Sequence, residues 1–223
     1  TSVVIRVTYK NYLENIYTLE RTSYTPNGLS ITTLFKDDYK IFTIFYDYYK
    51  KQGVDRFYLY YNGISSDTIK KLLERDDVIL IDWNYRYDNK QPYKYYHHAQ
   101  LGQIHHALYK YGKGYSKYMI FCDFDEYLYI PKMTISEFLN KTDIDFLGFK
   151  NRWATTVNNI VPSSFPSELM VSSTEYGYSP HTRSKTIYKT CNVQFTGIHA
   201  PSPQSFKLDR PVKCYNQFYM FHM

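Results

Sequence analysis

Along residues 29–130 the apolar positions switch back and forth between a strand pattern and a helix pattern. "LSITTLF" (29–35) reads as a strand, and "DDYKIFTIFYDYYKKQG" (37–53) has the length and apolar spacing of a helix that stops at Gly53. "VDRFYLYYN" (54–62) is the next strand, "SDTIKKLLERD" (66–76) a helix opened by Ser66 or Asp67, and "DVILIDWN" (77–84) a third strand. A helix from about His97 to Tyr111 follows, ended by "GKG", and then the strand "YMIFCDF" (118–124). Four strands separated by three helices predict an α/β fold, with a mostly parallel central sheet wound by crossover helices.

The two ends differ from this middle. Residues 1–28 hold two β-prone runs, "SVVIRVTY" and "NIYTLERTSYT", closed by the turn signal "PNG". From residue 146 onward there are eight Lys/Arg against three Asp/Glu, with Pro and Ser scattered through "VPSSFPSEL" and "APSPQSF". That part is expected to be basic and loop-rich. A length of 223 residues supports one substantial domain with a core.

Composition narrows the partners. The chain has 27 Tyr and 14 Phe, which suits a wall that stacks on sugars or bases; a genome favouring Tyr, Lys and Asn codons accounts for the same bias. A net charge of +6 fits nucleic acid, an anionic surface or a phosphorylated small molecule, but no dense Lys/Arg cluster marks a nucleic-acid groove, so no nucleic acid is expected. Cys122, Cys191 and Cys214 show neither a C-x-x-C spacing nor an even count, which points to a reducing, cytoplasmic setting rather than a disulfide framework. No apolar run reaches membrane-spanning length and no signal-peptide pattern opens the chain, so a soluble protein is expected, in a host cytoplasm if the chain is viral.

The chemistry concentrates in "YMIFCDFDEYLYI" (118–130), where an apolar strand runs into Asp123, Asp125 and Glu126. Unpaired carboxylates are costly to bury, so these must face water, a basic partner or a metal. Strand alternation sends Asp123 and Asp125 to one side and Phe124 to the core. Parallel α/β sheets bind ligands at the carboxyl ends of their strands, where this pair falls, and two carboxylates there suit Mg2+ or Mn2+ holding a diphosphate. Capping and pairing with lysines is the plainer reading. A phosphohydrolase of haloacid-dehalogenase type also follows an apolar strand with D-x-D, but opens its chain with the motif and needs a later acidic pair. A non-enzymatic carbohydrate-binding module, with a Tyr-rich wall and calcium on the carboxylates, is a third alternative. His97, His98, His105 and His106 suggest zinc, yet His98 and His105, which share a helix face, stand about 10 Å apart along the axis, too far for one ion. They are read as structural or donor-facing.

The ordered set "FKDD", "YYKKQGVDRFYLYYNGISSD", "HHAQLGQIHHAL", "YMIFCDFDEYLYIP", "RSKTIY" and "GIHAP" resembles the family 92 glycosyltransferases and related GT-A enzymes over roughly residues 29–200. The resemblance implies a GT-A-like domain over residues 1–223, with a nucleotide-binding half (29–130), a loop-rich acceptor half (131–223) and an N-terminal extension (1–28). It implies hexosyltransferase-class transfer from a nucleoside diphosphate sugar to a hydroxyl of a glycan or glycoprotein acceptor, with Mn2+ or Mg2+ and inversion. Carried onto this chain, it makes Lys36, Asp37, Asp38, Asn62, Asp67, Gln100 and Asp123 donor contacts and Asp123, Asp125 and a late His199 the metal ligands. Arg183 and Lys185, two apart in a β-prone run, are then placed to neutralise the departing diphosphate. Of Glu168, Glu175 and Asp209, the acids of the later region, Glu175 is favoured as the base that deprotonates the acceptor.

Overall fold

The structure, a computed structural model, describes residues 2–9, 13–20, 28–87, 89–91, 94–96, 98–156, 170–173, 184–199 and 213–222. Strands β1 (Ser2–Tyr9) and β2 (Leu13–Glu20) pair antiparallel as a hairpin. Then come β3 (Leu29–Phe35), α1 (Phe42–Lys51), β4 (Arg56–Tyr61), α2 (Asp67–Leu73) and β5 (Val78–Asp82). A short pair, β6 (Asn89–Gln91) and β7 (Lys94–Tyr96), leads to α3 (His98–Ala107), which passes through a π-helical turn, Leu108–Gly112, into α4 (Lys113–Tyr115). The chain continues with β8 (Tyr118–Phe121), β9 (Glu126–Tyr129), α5 (Ile135–Lys141), β10 (Phe146–Thr156), β11 (Met170–Ser173), β12 (Lys185–Lys189) and β13 (Lys213–His222).

Among the described residues one nine-stranded sheet runs β5-β4-β3-β8-β12-β10-β13-β9, with β11 added on β10. Its first half is the expected parallel unit: β5, β4, β3 and β8 are mutually parallel neighbours. Its second half is mixed, because β12 runs antiparallel to both β8 and β10 while β10 and β13 are parallel. The later region, expected to be loop-rich, thus supplies long strands to the same sheet. Its pairings join segments far apart in the chain, such as Lys150 with Tyr219, so neighbouring residues carry little sign of them.

Strand alternation builds a core on each face of the sheet. Ile31, Phe35, Phe57 and Leu59 pack under α1 with Phe42, Phe45 and Tyr49; Leu34, Tyr58, Tyr60 and Phe121 pack against α3 with Ile104 and Leu108. Thr32 faces the α3 side and remains satisfied, donating to the Tyr58 carbonyl at 2.9 Å and accepting from Gln103 Nε2 at 2.7 Å. Gly53 ends α1 as expected, at φ 86°, where the Val54 amide reaches back to the Tyr49 carbonyl. Ser66 caps α2, accepting from the Ile69 amide. The helix expected to stop at "GKG" instead runs to Tyr115. Gly112 is there for packing: a Cβ would stand 3.3 Å from Thr190 Cγ2, tighter than ordinary contact. Among the described residues no helix is long and apolar enough to cross a membrane.

Candidate active site

Because β3 and β8 are parallel neighbours, the segments that follow them leave the sheet at the same edge. A cavity of about 500 Å³ opens there, lined by Lys36 and Asp38 after β3 and by Asp123 and Asp125 after β8. Strand β8 ends at Phe121, so the acidic pair lies in a turn rather than in the strand itself. The Glu126 amide closes that turn by donating to the Asp123 carbonyl at 3.2 Å. The separation expected of a strand still holds: fully buried Phe124 packs 4.8 Å, ring to ring, from both Phe35 and Phe45, while the two aspartates line the cavity.

Glu126 turns inward and finds the basic partner that a buried carboxylate requires. Its Oε2 accepts from the Asp123 amide at 2.8 Å and lies 2.9 Å from Lys185 Nζ, which also reaches Asp123 Oδ2 at 3.1 Å. The side chains of Lys185 and Glu126 are each 2 % exposed. Burial pushes the Glu126 carboxyl up to about 7, against the pull of Lys185. Burial also opposes the Lys185 charge, but Asp123 and Glu126 outweigh it and hold the ammonium proton well above the usual lysine range. The lysine therefore stays charged, and any second proton in the triad resides on a carboxyl. Expected as a cation open to the leaving diphosphate, Lys185 instead presses its ammonium onto the acidic turn from β12. Its companion Arg183, and Glu175, lie outside the described residues.

Two tyrosines of α1 brace the strand that leaves the turn. Tyr49 Oη donates to the Glu126 carbonyl at 2.8 Å and accepts from the Leu128 amide at 3.1 Å; Tyr48 Oη donates to the Leu128 carbonyl at 2.7 Å. Cys122, whose thiol is pushed far up by burial and then by Glu126, donates to Tyr49 Oη at 3.4 Å and is a packing residue.

The other expected contacts separate into groups. Gln100, on α3, lines the cavity and donates from Nε2 to Asp123 Oδ1 at 3.3 Å, while its Oε1 accepts from Tyr87. Asn62 also lines the cavity, but its Nδ2 braces the following loop by donating to the Trp83 and Tyr85 carbonyls. His199, exposed on the segment after β12, lines it too. Asp37 is not among the lining residues. Asp67 sits fully exposed on the first turn of α2, 3.7 Å from Lys70, and opens onto a different cavity. His105 and His106 are structural: His105 donates from Nδ1 to the Leu101 carbonyl and accepts the Thr196 amide on Nε2, and His106 Nδ1 pairs with Tyr60 Oη at 2.8 Å. The side chains of His97 and His98 lie outside the described residues.

Sequence reasoning missed Tyr87 and Ile198 on the cavity wall and the Glu126–Lys185 pair. A charge inside an apolar strand was the available signal for that pair, since "KTIY" and "EYLY" each open with one.

The acids of the cavity crowd one another. Partial burial, then Asp125, Asp123 and Asp37, hold the Asp38 carboxyl above its usual value. Among the described residues no three His, Cys, Asp or Glu side chains converge as a metal cluster. The segments around the cavity stand in the same chain order as the motifs of the sequence reading, and the model of glycosyltransferase family 92 matches residues 28–223. The chain belongs to glycosyltransferase family 92. This family 92 enzyme is therefore a glycosyltransferase, acting between a sugar donor and an acceptor, and the phosphohydrolase and binding-module alternatives are set aside. Comparison with curated proteins gives no match. Residues 1–27 fall outside the matched region.

Proposed function

We propose that this family 92 glycosyltransferase moves a hexose from a nucleoside diphosphate sugar to a hydroxyl of a glycan or glycoprotein, with inversion and with a divalent cation. The observation that carries the reading is the crowding of Asp38, Asp123 and Asp125 around one cavity at the carboxyl ends of β3 and β8. Mutual repulsion among carboxylates is relieved by a hard cation, so the donor set suits Mn2+ or Mg2+. No three-residue cluster is preformed among the described residues, so Asp123 and Asp125 would hold it together with the donor's diphosphate, and the late His199, on the same cavity wall, would join them on binding; an imidazole in that set favours Mn2+. When bound, the cation supplies electrostatic stabilisation of the diphosphate.

The chain's own residues supply the remainder. Lys36, exposed at the rim, attracts the anionic donor, and Gln100 and Asn62 complete the wall it enters. Arg183 neutralises the departing diphosphate. Glu175 takes the proton of the acceptor hydroxyl while that oxygen bonds to the anomeric carbon and the diphosphate leaves with its electron pair from the opposite face. Asp37 and Asp67 have no part in this reading.

Release of nucleoside diphosphate from a panel of nucleotide sugars, with Mn2+, with Mg2+ and with chelator, tests it. Turnover is expected with one donor class, lost on chelation and lost in Asp125→Asn at unchanged thermal stability. Undiminished turnover of folded Asp125→Asn in Mn2+ would remove the acidic pair from the cation site, and a product of retained anomeric configuration would overturn the inverting step.

A further inference from the structure

We propose that Lys185 and Glu126 are positioning residues that lock Asp123 into its donor-binding orientation. The inference rests on the donor-cavity reading above. Asp123 is held at each polar atom that could set its direction. Gln100 Nε2 donates to Oδ1 at 3.3 Å, Lys185 Nζ to Oδ2 at 3.1 Å, the Asp123 amide donates to Glu126 Oε2 at 2.8 Å, and its carbonyl accepts the Glu126 amide. The turn is thus closed twice, once through the backbone and once through the Glu126 side chain.

The clamp is itself anchored in three directions. Tyr49 of α1 fixes the Glu126 backbone, β12 carries Lys185 beside β8 with Ile187 opposite Ile120, and α3 carries Gln100. Asp123 remains 34 % exposed at the cavity while its lysine is 2 % exposed. A side chain with one face on ligand and the other on a buried charged partner is pre-organised, because its rotamer freedom is already lost before the donor arrives. An ammonium whose only task was stability would be better replaced by an apolar side chain of similar volume. Here it also aims a carboxylate.

The experiment compares wild type with the double variant Glu126→Gln/Lys185→Met, which removes both buried charges and keeps an acceptor for the Asp123 amide. Isothermal titration with Mn2+ and a panel of nucleoside diphosphates, turnover of the preferred donor, and thermal melting are measured on both. The expected result is a double variant with Tm and binding stoichiometry close to wild type, nucleotide Kd weakened roughly 10–100-fold, and kcat/KM lowered, the range typical when an outer partner of a functional group is removed. A double variant that matches wild type in Kd and kcat/KM overturns the positioning role. So does one that unfolds, or whose loss is entirely loss of stoichiometry, since either assigns the pair to stability alone. If wild type binds none of the nucleotides, it is the donor-cavity reading that fails.

Discussion

Lys185 and Glu126 are stable inside the protein only as a pair, and the single substitution should show it. Lys185→Met leaves the equally buried Glu126 carboxylate without its ammonium. Removing one partner of a buried ion pair costs about 3–5 kcal/mol, so a large drop in urea-unfolding free energy is expected for the single variant and a much smaller one for the double. A single variant as stable as wild type would mean that Glu126 takes up a proton without penalty. Asp125→Asn should behave oppositely, shifting stability by about 0.5 kcal/mol or less while abolishing turnover, because Asp125 lines the cavity rather than the core. The contrast follows what the chain reveals locally. Asp123 and Asp125 were legible because an apolar run meeting D-x-D is a feature of adjacent residues. Lys185 was legible as a charge but not as a partner, since it meets Asp123 across 62 residues of sequence.

At the scale of elements, α1 and β9 depend on the hydroxyl of Tyr49. Tyr49→Phe keeps the ring among Phe45, Tyr48 and Tyr127 but strands the Glu126 carbonyl and the Leu128 amide. Each buried polar group left unpaired costs about 1–3 kcal/mol, so a loss within or somewhat above that range is expected in chemical denaturation, and no measurable change would show that water replaces the hydroxyl. Elements of the parallel half were readable because each carries its own punctuation: β3 spans the residues predicted for it, Gly53 stops α1 and Ser66 opens α2. The helix through Gly112 was misread because a glycine kept for close packing against Thr190 looks, in sequence, like one kept for a turn. Strand β12 falls on the β-prone run "RSKTIY", but β10 and β13 were hidden for another reason. A mixed half-sheet has no repeating helix between its strands to mark them, and its hydrogen-bond partners come from distant segments.

For the whole molecule, pH should act through His106, which joins α3 to the sheet by its bond to Tyr60 and its ring contact with Trp83. Burial, then Lys110, lowers its pKa from 6.5. The unfolded chain therefore takes up a proton near 6.5 that the folded chain refuses, so this contribution is present above pH 6.5 and is lost as pH falls through the folded value. Glu126, pushed from 4.5 up to about 7, works in the opposite sense, its contribution present below 4.5 and lost by about 7. The His106 effect is read as a difference: Tm of wild type should fall more between pH 7.5 and 5.5 than Tm of His106→Gln, and parallel curves would remove His106 as the cause. The sheet order carries a consequence for synthesis as well. Strand β12 sits beside β8 but is translated long after it, and Lys185 follows Asp123 by 62 residues. At ribosomal speeds of about 5–20 residues per second, the nascent acidic turn waits roughly 3–12 seconds for its lysine. Throughout that interval β8 is an open edge of the kind that recruits foreign strands, and Glu126 has no ammonium to receive it. A ribosome paused between these two codons therefore holds a chain in which the flank of β8, next to the acidic turn, still awaits its partner strand.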